Sequence, residues 1–296
     1  MKKMKKLLAA VMAGTIILGG LVGCGKTSSE AANSKSESSE SKVTASSLDE
    51  IKKRGTIKIG VFSDKAPFGY VDSNGKSQGF DVHIARRFAK DLLGDESKVE
   101  FVLVDAASRV AYLESNKVDI IMANFTVTEE RKQKVDFANP YMKVSLGLVS
   151  PDSAPINSIE EMKDKKIIIA KGTTAETYLT KNHPGIQLVK YDQYSEIFEA
   201  LKDGRGDAIA NDNTEVLAWA KKNPGYSVTI PKFGGEDTIA PAVAKGNKEL
   251  LDWINSELIT LGKENFVHKA YEETLKDTYG AESIEDIVIE GGKVEQ

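Results

Sequence analysis

Apolar and polar residues follow two different periods along most of the chain, and the two periods alternate. Runs that are rich in Ile and Val and predict strands occupy residues 56–62, 99–104, 118–123, 166–170, 186–191 and 207–210. Between them lie helix-type patterns that begin near Asp81, Arg109, Thr173 and Ser195, and Asp81 could cap the first of these helices. Ser47-Leu48-Asp49-Glu50 resembles a capping box that opens a short helix, and residues 66–79 predict a region of turns. Strands that alternate with helices indicate an α/β fold with mostly parallel sheets.

The second half of this pattern repeats the first. Residues 118–124 are VDIIMAN and residues 206–211 are GDAIAN, so two strands of the same kind end in Asn. Each half therefore predicts a sheet and a lobe of its own. We place the first part of lobe 1 at residues 47–142 and lobe 2 at residues 143–238. The return to lobe 1, with a C-terminal tail, is placed at residues 239–296.

Two apolar stretches predict the connections between the lobes. Residues 141–149 form an extended apolar piece, and residues 238–244 form another that glycines flank. The second crossing would return the chain to lobe 1, which helices predicted at 248–262 and 266–279 would complete. Two connections make a hinge around which lobes can close on a ligand. The alternative is two independent domains on one linker.

The N-terminus has the pattern of a secretion signal. Lysines at positions 2, 3, 5 and 6 precede an uncharged apolar run at residues 7–22, which is short for a membrane span. The tetrapeptide Leu21-Val22-Gly23-Cys24 resembles the lipobox of bacterial lipoproteins. That resemblance implies cleavage before Cys24 and diacylglycerol on its thiol. We therefore predict a signal peptide at residues 1–23 and a lipid anchor, with an unmodified thiol as the alternative.

The composition narrows the function. Ser, Lys, Glu, Ala and Asn dominate residues 24–46, which predicts a flexible tether. The net charge of −4 argues against nucleic-acid binding. One Cys cannot form an internal disulfide, and three scattered His with one Cys do not build a typical zinc site. We expect neither a metal nor a cofactor.

Three polar segments follow strands of the predicted sheets. Asn124-Phe125-Thr126 and Asn211-Asp212 follow the two similar strands, and Lys171-Gly172-Thr173-Thr174 follows the strand at residues 166–170. Ligands of open α/β sheets bind beyond the carboxyl ends of the strands. If the lobes face each other, the three segments meet in one cleft, and we predict the ligand site there.

The charged residues of these segments suit a free amino acid, which has one carboxylate and one ammonium. Arg131 follows Thr128, which would cap its helix, and its planar guanidinium suits a carboxylate; a surface Arg is the alternative. Thr173 and Thr174 begin a helix whose free N–H groups favour an anion, and Thr173 could also be a plain cap. Asp212 could pair with the ammonium or cap a loop.

Arg109 and the aromatic residues have two possible roles each. Arg109 could bind an acidic or polar ligand side chain, or it could be a solvated surface residue. Phe68, Tyr70 and Phe125 could form walls around the ligand, or they could belong to the core.

In combination, several motifs resemble the polar amino-acid-binding proteins of ABC importers, from about Leu48 to the C-terminus. The matching segments are Gly60-Val61, Pro67-Phe68-Gly69-Tyr70, Gly79-Phe80-Asp81, Thr126-x-Thr128-x-Glu130-Arg131, Val135-Asp136-Phe137-Ala138, Pro140-Tyr141, Lys171-Gly172-Thr173-Thr174 and Gly206-Asp207-Ala208. The resemblance implies an α/β fold of the type II periplasmic-binding-protein kind. In this fold two lobes with mostly parallel sheets are joined by a two-strand hinge.

The same resemblance implies roles for individual residues. The Arg at position 131 would bind the α-carboxylate, helped by the backbone N–H of Thr174 and the hydroxyl of Thr126. The Asp at position 212 would bind the α-ammonium together with the backbone C=O of Asn124.

Further segments are similar to the cysteine-binding branch of this family. They are residues 62–70, Phe101-Val102-Leu103-Val104 with Arg109, Ala123-Asn124-Phe125-Thr126, Tyr141-Met142-Lys143-Val144, residues 268–275 and Ile289-Glu290-Gly291-Gly292. Ala106 stands where glutamine-binding relatives have an aromatic residue, which disfavours glutamine. Relatives that bind acidic amino acids also have an Arg at the place of Arg109. We therefore expect L-cysteine, with glutamate or aspartate, glutamine, and cystine as alternatives.

The implied role is transport. We expect a monomeric lipoprotein on the extracytoplasmic face of the membrane, at a cell surface or in a periplasm. It would deliver its amino acid to the permease and ATPase subunits of an ABC transporter. The rivals are an enzyme on the same fold, such as a dehydratase, and a sensor or adhesin domain, because fold alone does not settle function. No His-Glu-x-x-His motif supports an enzyme.

Overall fold

The computed structural model describes residues 45–293. Its strands are β1 (Ile57–Val61), β2 (Asp64–Lys65), β3 (Gly69–Val71), β4 (Ser77–Gln78), β5 (Val99–Leu103), β6 (Ile120–Ile121), β7 (Val135–Phe137), β8 (Met142–Pro151), β9 (Lys166–Ala170), β10 (Gln187–Tyr191), β11 (Ala208–Asp212), β12 (Tyr226–Ile239) and β13 (Ala242–Ala244). Its α-helices are α1 (Leu48–Arg54), α2 (Phe80–Leu93), α3 (Arg109–Glu114), α4 (Glu129–Lys132), α5 (Thr174–Asn182), α6 (Tyr194–Lys202), α7 (Asn213–Lys222), α8 (Lys248–Lys263), α9 (Phe266–Thr274), α10 (Lys276–Tyr279) and α11 (Ile284–Ile287).

Two sequence predictions fall outside this range. The predicted signal peptide with Cys24, and all but the end of the predicted tether, lie outside the described residues. Within residues 45–293, every helix is too short or too polar to cross a bilayer.

The sheet of the first lobe combines strands from both ends of the described chain. Its order is β5-β1-β6-β13-β7. β1 pairs in parallel with β5 and β6, whereas β13 pairs antiparallel with β6 and β7. Ile57 and Ile59 of β1 share one apolar core with Ile84 and Phe88 of α2. The apolar stripe of α2 is therefore what covers this sheet.

The sheet of the second lobe has the order β10-β9-β11-β8-β12. β9 pairs in parallel with β10 and β11, and β8 pairs antiparallel with β11 and β12. In each sheet, four of the five strands therefore run in the same direction. These pairings confirm the predicted α/β fold with mostly parallel sheets.

The two lobes are joined by two neighbouring crossings of the chain. β8 and β12 pair up to Met142, which lies opposite Ile239. Beyond this pair, the Tyr141 N–H donates to the Ile239 carbonyl at 3.0 Å, and the Ala138 N–H donates to the Pro241 carbonyl at 2.9 Å. The predicted two-strand hinge is thus confirmed.

Side chains cap three helices where the sequence predicts it. Ser47 closes a capping box at the start of α1. The Thr128 hydroxyl accepts from the Arg131 N–H at 3.2 Å, and the Thr173 hydroxyl accepts from the N–H three residues later at 3.3 Å. These caps satisfy N–H groups that a helix leaves without partners, so they fix where α4 and α5 begin.

Asp81 is not the cap of α2, which was the prediction. The N-cap is Gly79, with a φ of 114°, and a Cβ there would lie 2.3 Å from the Phe68 carbonyl oxygen. Asp81 is buried in the first turn, and its carboxylate accepts from the Asn124 N–H and the Tyr141 O–H, both at 2.7 Å. Asp81 therefore links α2 to Asn124 and to Tyr141, the residue before β8.

Three parts of the fold differ from the predicted pattern. Residues 66–79, predicted as turns, contain two short strands, β3 and β4, which form a small antiparallel sheet with β2. The helix predicted at residues 266–279 is divided at Leu275 into α9 and α10. Helix α7 and most of the length of β12 were not predicted.

Candidate functional site

Arg131 lies between the two lobes, in a space that we call the cleft. Its Nη1 donates to the Thr126 carbonyl of lobe 1 at 2.7 Å. Its Nη2 donates to the Gly172 carbonyl of lobe 2 at 2.9 Å. The Thr128 cap sets the start of the short helix α4, so the guanidinium is held at this position by local structure.

The Arg131 guanidinium is a buried cation that is short of negative charge. Burial, followed by the positive charge of Arg109, lowers the pKa of Arg131 to about 9, against an opposing effect of Asp212. Among the described residues, no carboxylate forms an ion pair with it. A carboxylate bound here would stabilise the charged form of Arg131 and would itself be desolvated next to a fork of donors.

Arg109 is buried, which removes the alternative of a solvated surface residue. Its side chain is 2% exposed. Nε donates to the Ala106 carbonyl at 2.9 Å, Nη1 donates to the carbonyls of Ala123 (3.0 Å) and Asn124 (3.2 Å), and Nη2 donates to the Gly172 carbonyl at 3.1 Å. Arg109 therefore holds backbone carbonyls from both lobes in place.

The Phe125 ring contacts both arginines. The Cζ atoms of Arg109 and Arg131 lie 4.4 and 4.7 Å from its centroid. A guanidinium over an aromatic face is favourable, and the ring also restricts where each guanidinium can move. Phe125 is thus a wall of the cleft beside its two cations.

Asp212 contacts a lysine that the sequence did not single out. Lys65 of β2 is fully buried, and its Nζ lies 2.6 Å from Asp212 Oδ2 and 2.7 Å from Asn124 Oδ1. The Tyr194 hydroxyl lies 3.4 Å away. Burial alone, the largest single effect, would lower the pKa of Lys65. The charges of Asp212, Tyr194 and Glu215 and the hydrogen bond to Asp212 together outweigh it, so the pKa is raised. Lys65 is therefore a charged ammonium that joins the lobes.

Lys65 was missed because lysine is among the residues least often buried. A signal for it was present in the sequence. Lys65 follows the carboxyl end of β1 by four residues, between Phe62 and Phe68. A cation at that end of a strand lies at the edge where ligands bind.

Asn124 connects several of these groups. Its φ of 44° places it in the left-handed region, which Asn tolerates better than most residues. Its N–H donates to Asp81, its carbonyl accepts from Arg109, and its side-chain oxygen accepts from Lys65. Each polar group of Asn124 except its amide nitrogen is therefore fixed by a charged side chain.

The start of α5 faces the cleft from lobe 2. Thr173 is the N-cap and donates its hydroxyl hydrogen to the Ala170 carbonyl at 2.7 Å. Glu176 reaches back to the Gly172 N–H at 2.7 Å. Thr174 is the first residue of the helix and lines a cavity that also contacts Arg131. The N–H of such a residue has no partner inside the helix, so it is available to an anion.

Phe68 and Tyr70, which the sequence offered as walls for the ligand, belong to lobe 1. Phe68 is fully buried in the core of lobe 1, where its ring centroid is 6.3 Å from that of Tyr279. Tyr70 is half-buried in β3, opposite Asp64 and Gln78.

A cavity of ≈ 440 Å³ opens beside Arg131. Ala106 and Phe125 line it from lobe 1, and Thr174, Tyr178 and Asp237 line it from lobe 2. Burial, followed by the charge of Asp212, raises the pKa of Asp237. Among the described residues, Asp212 does not line this cavity; its carboxylate contacts Lys65 instead. Of the predicted site residues, Arg131 and Thr174 thus line the cavity. Thr126 and Arg109 adjoin Arg131 through the Thr126 carbonyl and the shared Gly172 carbonyl, and Asp212 and Asn124 contact Lys65.

Comparison with known proteins identifies the kind of molecule. The family model of the bacterial extracellular solute-binding proteins, family 3, matches residues 57–276. The ABC transporter glutamine-binding protein GlnH of Bacillus subtilis (strain 168) is 33% identical over 278 residues, which cover 93% of this chain and 98% of that protein.

Two solved structures are similar to the chain in sequence and fold. The solute receptor for L-cysteine of Neisseria gonorrhoeae is 53% identical with a TM-score of 0.82, over 83% of this chain and 100% of that one. The cysteine-binding protein from Campylobacter jejuni is 54% identical with a TM-score of 0.81, over 82% of this chain and 98% of that one.

Proposed function

We propose, from the premise that this chain belongs to the bacterial extracellular solute-binding proteins of family 3, that its ligand is L-cysteine. The chain is an amino-acid solute-binding protein of ABC transport, and its relatives are transport proteins rather than enzymes. Cysteine is favoured over the glutamine of the Bacillus subtilis relative because the two cysteine-binding structures are more similar in sequence.

The observation on which this proposal depends is the position of Arg131 between the lobes. Its guanidinium is buried, has a lowered pKa and donates only to carbonyls of Thr126 and Gly172 among the described residues. An α-carboxylate there would accept from Arg131 and from the N–H of Thr174. The charge-assisted bonds so formed are stronger than those to neutral carbonyls.

The α-ammonium is assigned to Asp212 and to the carbonyl of Asn124. Asp212 is 5% exposed, and its Oδ2 accepts from Lys65. Its other oxygen can accept from the ligand. The two ends of the zwitterion would then contact Arg131 of lobe 1 and Asp212 of lobe 2, so that ligand binding stabilises the closed arrangement of the lobes.

The proposal extends to location and delivery. Residues 1–23 would be a signal peptide, Cys24 the lipid-bearing residue and residues 24–46 a tether that leaves the lobes free to meet a permease. The closed form, with its ligand, is what the permease and its ATPase would receive.

Isothermal titration calorimetry with a panel of amino acids tests the ligand. The panel contains L-cysteine, cystine, glutamine, glutamate and aspartate. Cysteine is expected to bind with the smallest Kd, and a smaller Kd for another member would replace it as the ligand.

Arg131→Ala and Asp212→Ala test the site. Each substitution removes one charged partner of the ligand, so each is expected to cost about 2–5 kcal/mol of binding free energy, a loss of affinity of about thirtyfold or more. Lys132→Ala is the matched control, since Lys132 lies on the same helix and is half-exposed, with a surface contact to Glu129. Near-normal cysteine affinity in both Arg131→Ala and Asp212→Ala, with the fold retained, would exclude the site.

A further inference from the structure

Lys65 places a permanent positive charge next to the groups assigned to the ligand ammonium. Its Nζ contacts the side chains of Asp212 and Asn124 at 2.6 and 2.7 Å. Both residues belong to the ammonium site of the proposed function, on which this inference rests. The cation and a ligand ammonium bound to Asp212 would therefore share one carboxylate.

The surroundings of Lys65 keep its charge in place. The side chain is fully buried, and its Nζ lies 4.6 Å from the ring centroid of Tyr194, 5.6 Å from that of Phe62 and 6.0 Å from that of Phe68. Its three N–H groups match three acceptors, namely Asp212, Asn124 and the Tyr194 hydroxyl. A buried ammonium with its donors satisfied has no favourable way to move into water.

The arrival of a ligand ammonium changes this balance. Asp212 would then accept from two cations, Lys65 through Oδ2 and the ligand through its other oxygen. Arg109 adds a third positive charge, because its Nη1 lies 3.2 Å from the Asn124 carbonyl. Like charges close together repel, and they do so more strongly at the effective dielectric constant of a protein than in water. A ligand that brought a further positive charge would increase that repulsion.

We propose that Lys65 selects the charge of the ligand side chain. It excludes amino acids whose side chain ends in a cation, and it favours a side chain that is anionic or can ionise to an anion, such as a thiol. Specificity of this kind depends on a repulsive element as well as on attractive contacts. A thiol is suited to the position because a neighbouring cation stabilises its thiolate.

Competing explanations involve the other charged groups near Lys65. Asp64 precedes it in β2, but the Asp64 carboxylate accepts from the Ser195 N–H at 3.0 Å. Glu215 of α7 and Asp81 of α2 are buried carboxyls, and burial raises their pKa to about 8 and about 7. These groups therefore offset the Lys65 charge less than ionised carboxylates would.

The test uses three ligands of similar size that differ in side-chain charge. They are L-cysteine, L-serine as the neutral reference, and L-2,4-diaminobutyrate, whose side chain ends in an ammonium. Their Kd values are measured by calorimetry at neutral pH on the wild-type protein and on Lys65→Met. The readout is the ratio of the Kd of diaminobutyrate to that of serine, because a general weakening of closure cancels in the ratio.

In Lys65→Met this ratio is expected to fall by about tenfold or more, since one like-charge repulsion is removed. The ratio of the Kd of serine to that of cysteine is expected to fall as well, because the thiol loses its cation. Lys65→Gln gives a second neutral variant if Lys65→Met does not fold. Ser195→Ala is the control, since it weakens another contact between the lobes at Asp64 without changing any charge, and its ratios should equal those of the wild type.

Unchanged ratios in the neutral variants would overturn the role of Lys65 while leaving the proposed function intact. If the wild-type protein binds none of the amino acids, the proposed function itself fails. A wild-type protein that binds diaminobutyrate as tightly as serine would also overturn the selection of charge.

Discussion

At the scale of single residues, Gly172 lies at a close contact between the two lobes. It lies between β9 and α5, and its carbonyl accepts from both Arg109 and Arg131. Its φ is +73°, and a Cβ there would lie 2.6 Å from the Cα of Ala107 in lobe 1. Glycine is therefore required twice, by the backbone conformation and by the neighbouring backbone across the cleft.

Gly172→Ala is expected to weaken ligand binding more than it weakens the fold. The left-handed conformation costs an alanine about 1 kcal/mol, which lowers the free energy of unfolding. The contact with Ala107 adds a cost only when the lobes are closed, so the Kd for cysteine should rise by about tenfold or more. Calorimetry gives the Kd, and urea unfolding gives the stability.

Gly204→Ala separates the two effects. Gly204 is also in lobe 2 and has a φ of +69°, but nothing lies within 4 Å of the position of its Cβ. This variant should lose similar stability and keep the wild-type Kd. Equal affinities of Gly172→Ala and Gly204→Ala would mean that the ligand-bound lobes are farther apart than in this structure.

At the scale of elements, the predictable parts of the fold are those whose pattern is local. β9 was predicted with its observed bounds because KIIIA is a short apolar run with sharp ends. β12 was largely missed because three register shifts against β8 and the glycines at 234 and 235 break its alternation. The contact between Lys65 and Asp212 joins residues 147 positions apart, so no local pattern could reveal it.

The predicted cap at Asp81 was wrong for a related reason. Asp near the start of a helix usually bonds to its own backbone, and the pattern contains only that local preference. Here the carboxylate bonds to Asn124 and Tyr141, which come from distant parts of the chain. Sequence analysis could thus supply the lobes, the hinge and the candidate residues, but not which of these residues contact one another.

Helix α9 shows how a distant side chain replaces a local cap. Its N-cap residue, Asn265, has a φ of 56° and makes no side-chain capping bond. The Glu290 carboxylate instead accepts from the Val267 N–H at 3.3 Å and from the His268 N–H at 2.9 Å, and it lies 2.7 Å from His268 Nδ1. Glu290 therefore attaches the C-terminal segment to the start of α9.

Glu290→Ala is expected to lower the free energy of unfolding by about 1–2 kcal/mol. It removes a charged cap and leaves two N–H groups of α9 without an acceptor. Urea unfolding measures the change. Glu285→Gln is the control, because the Glu285 side chain is largely exposed and its carboxylate contacts the outer nitrogen of His268 at 3.3 Å. Comparable losses in the two variants would show that Glu290 does not act as a cap.

At the scale of the whole molecule, the lobes contact each other through apolar side chains, such as Phe62 against Tyr194, and through several polar groups. Lys65 bonds to Asp212, Asp64 bonds to Ser195, and Arg109 and Arg131 bond to the Gly172 carbonyl. Polar contacts of this kind can exchange protein partners for water at modest cost when the lobes open. A ligand that contacts both lobes then shifts the population to the closed form.

The buried carboxyls also determine how the stability of the whole molecule depends on pH. Glu215 in α7 is 2% exposed, and burial raises its pKa from 4.5 to about 8. Between these values the folded chain holds a proton that the unfolded chain has released, so the free energy of unfolding falls as the pH rises, by up to about 1.4 kcal/mol per pH unit for one group.

Glu215→Gln removes this titration. The free energy of unfolding of this variant, relative to that of the wild type, should therefore increase from pH 5 to pH 8 in urea unfolding without added amino acid. Asp81, whose pKa is raised to about 7, titrates in both proteins and cancels in the difference. Parallel stability curves for the two proteins would show that Glu215 is ionised in the folded state throughout this range.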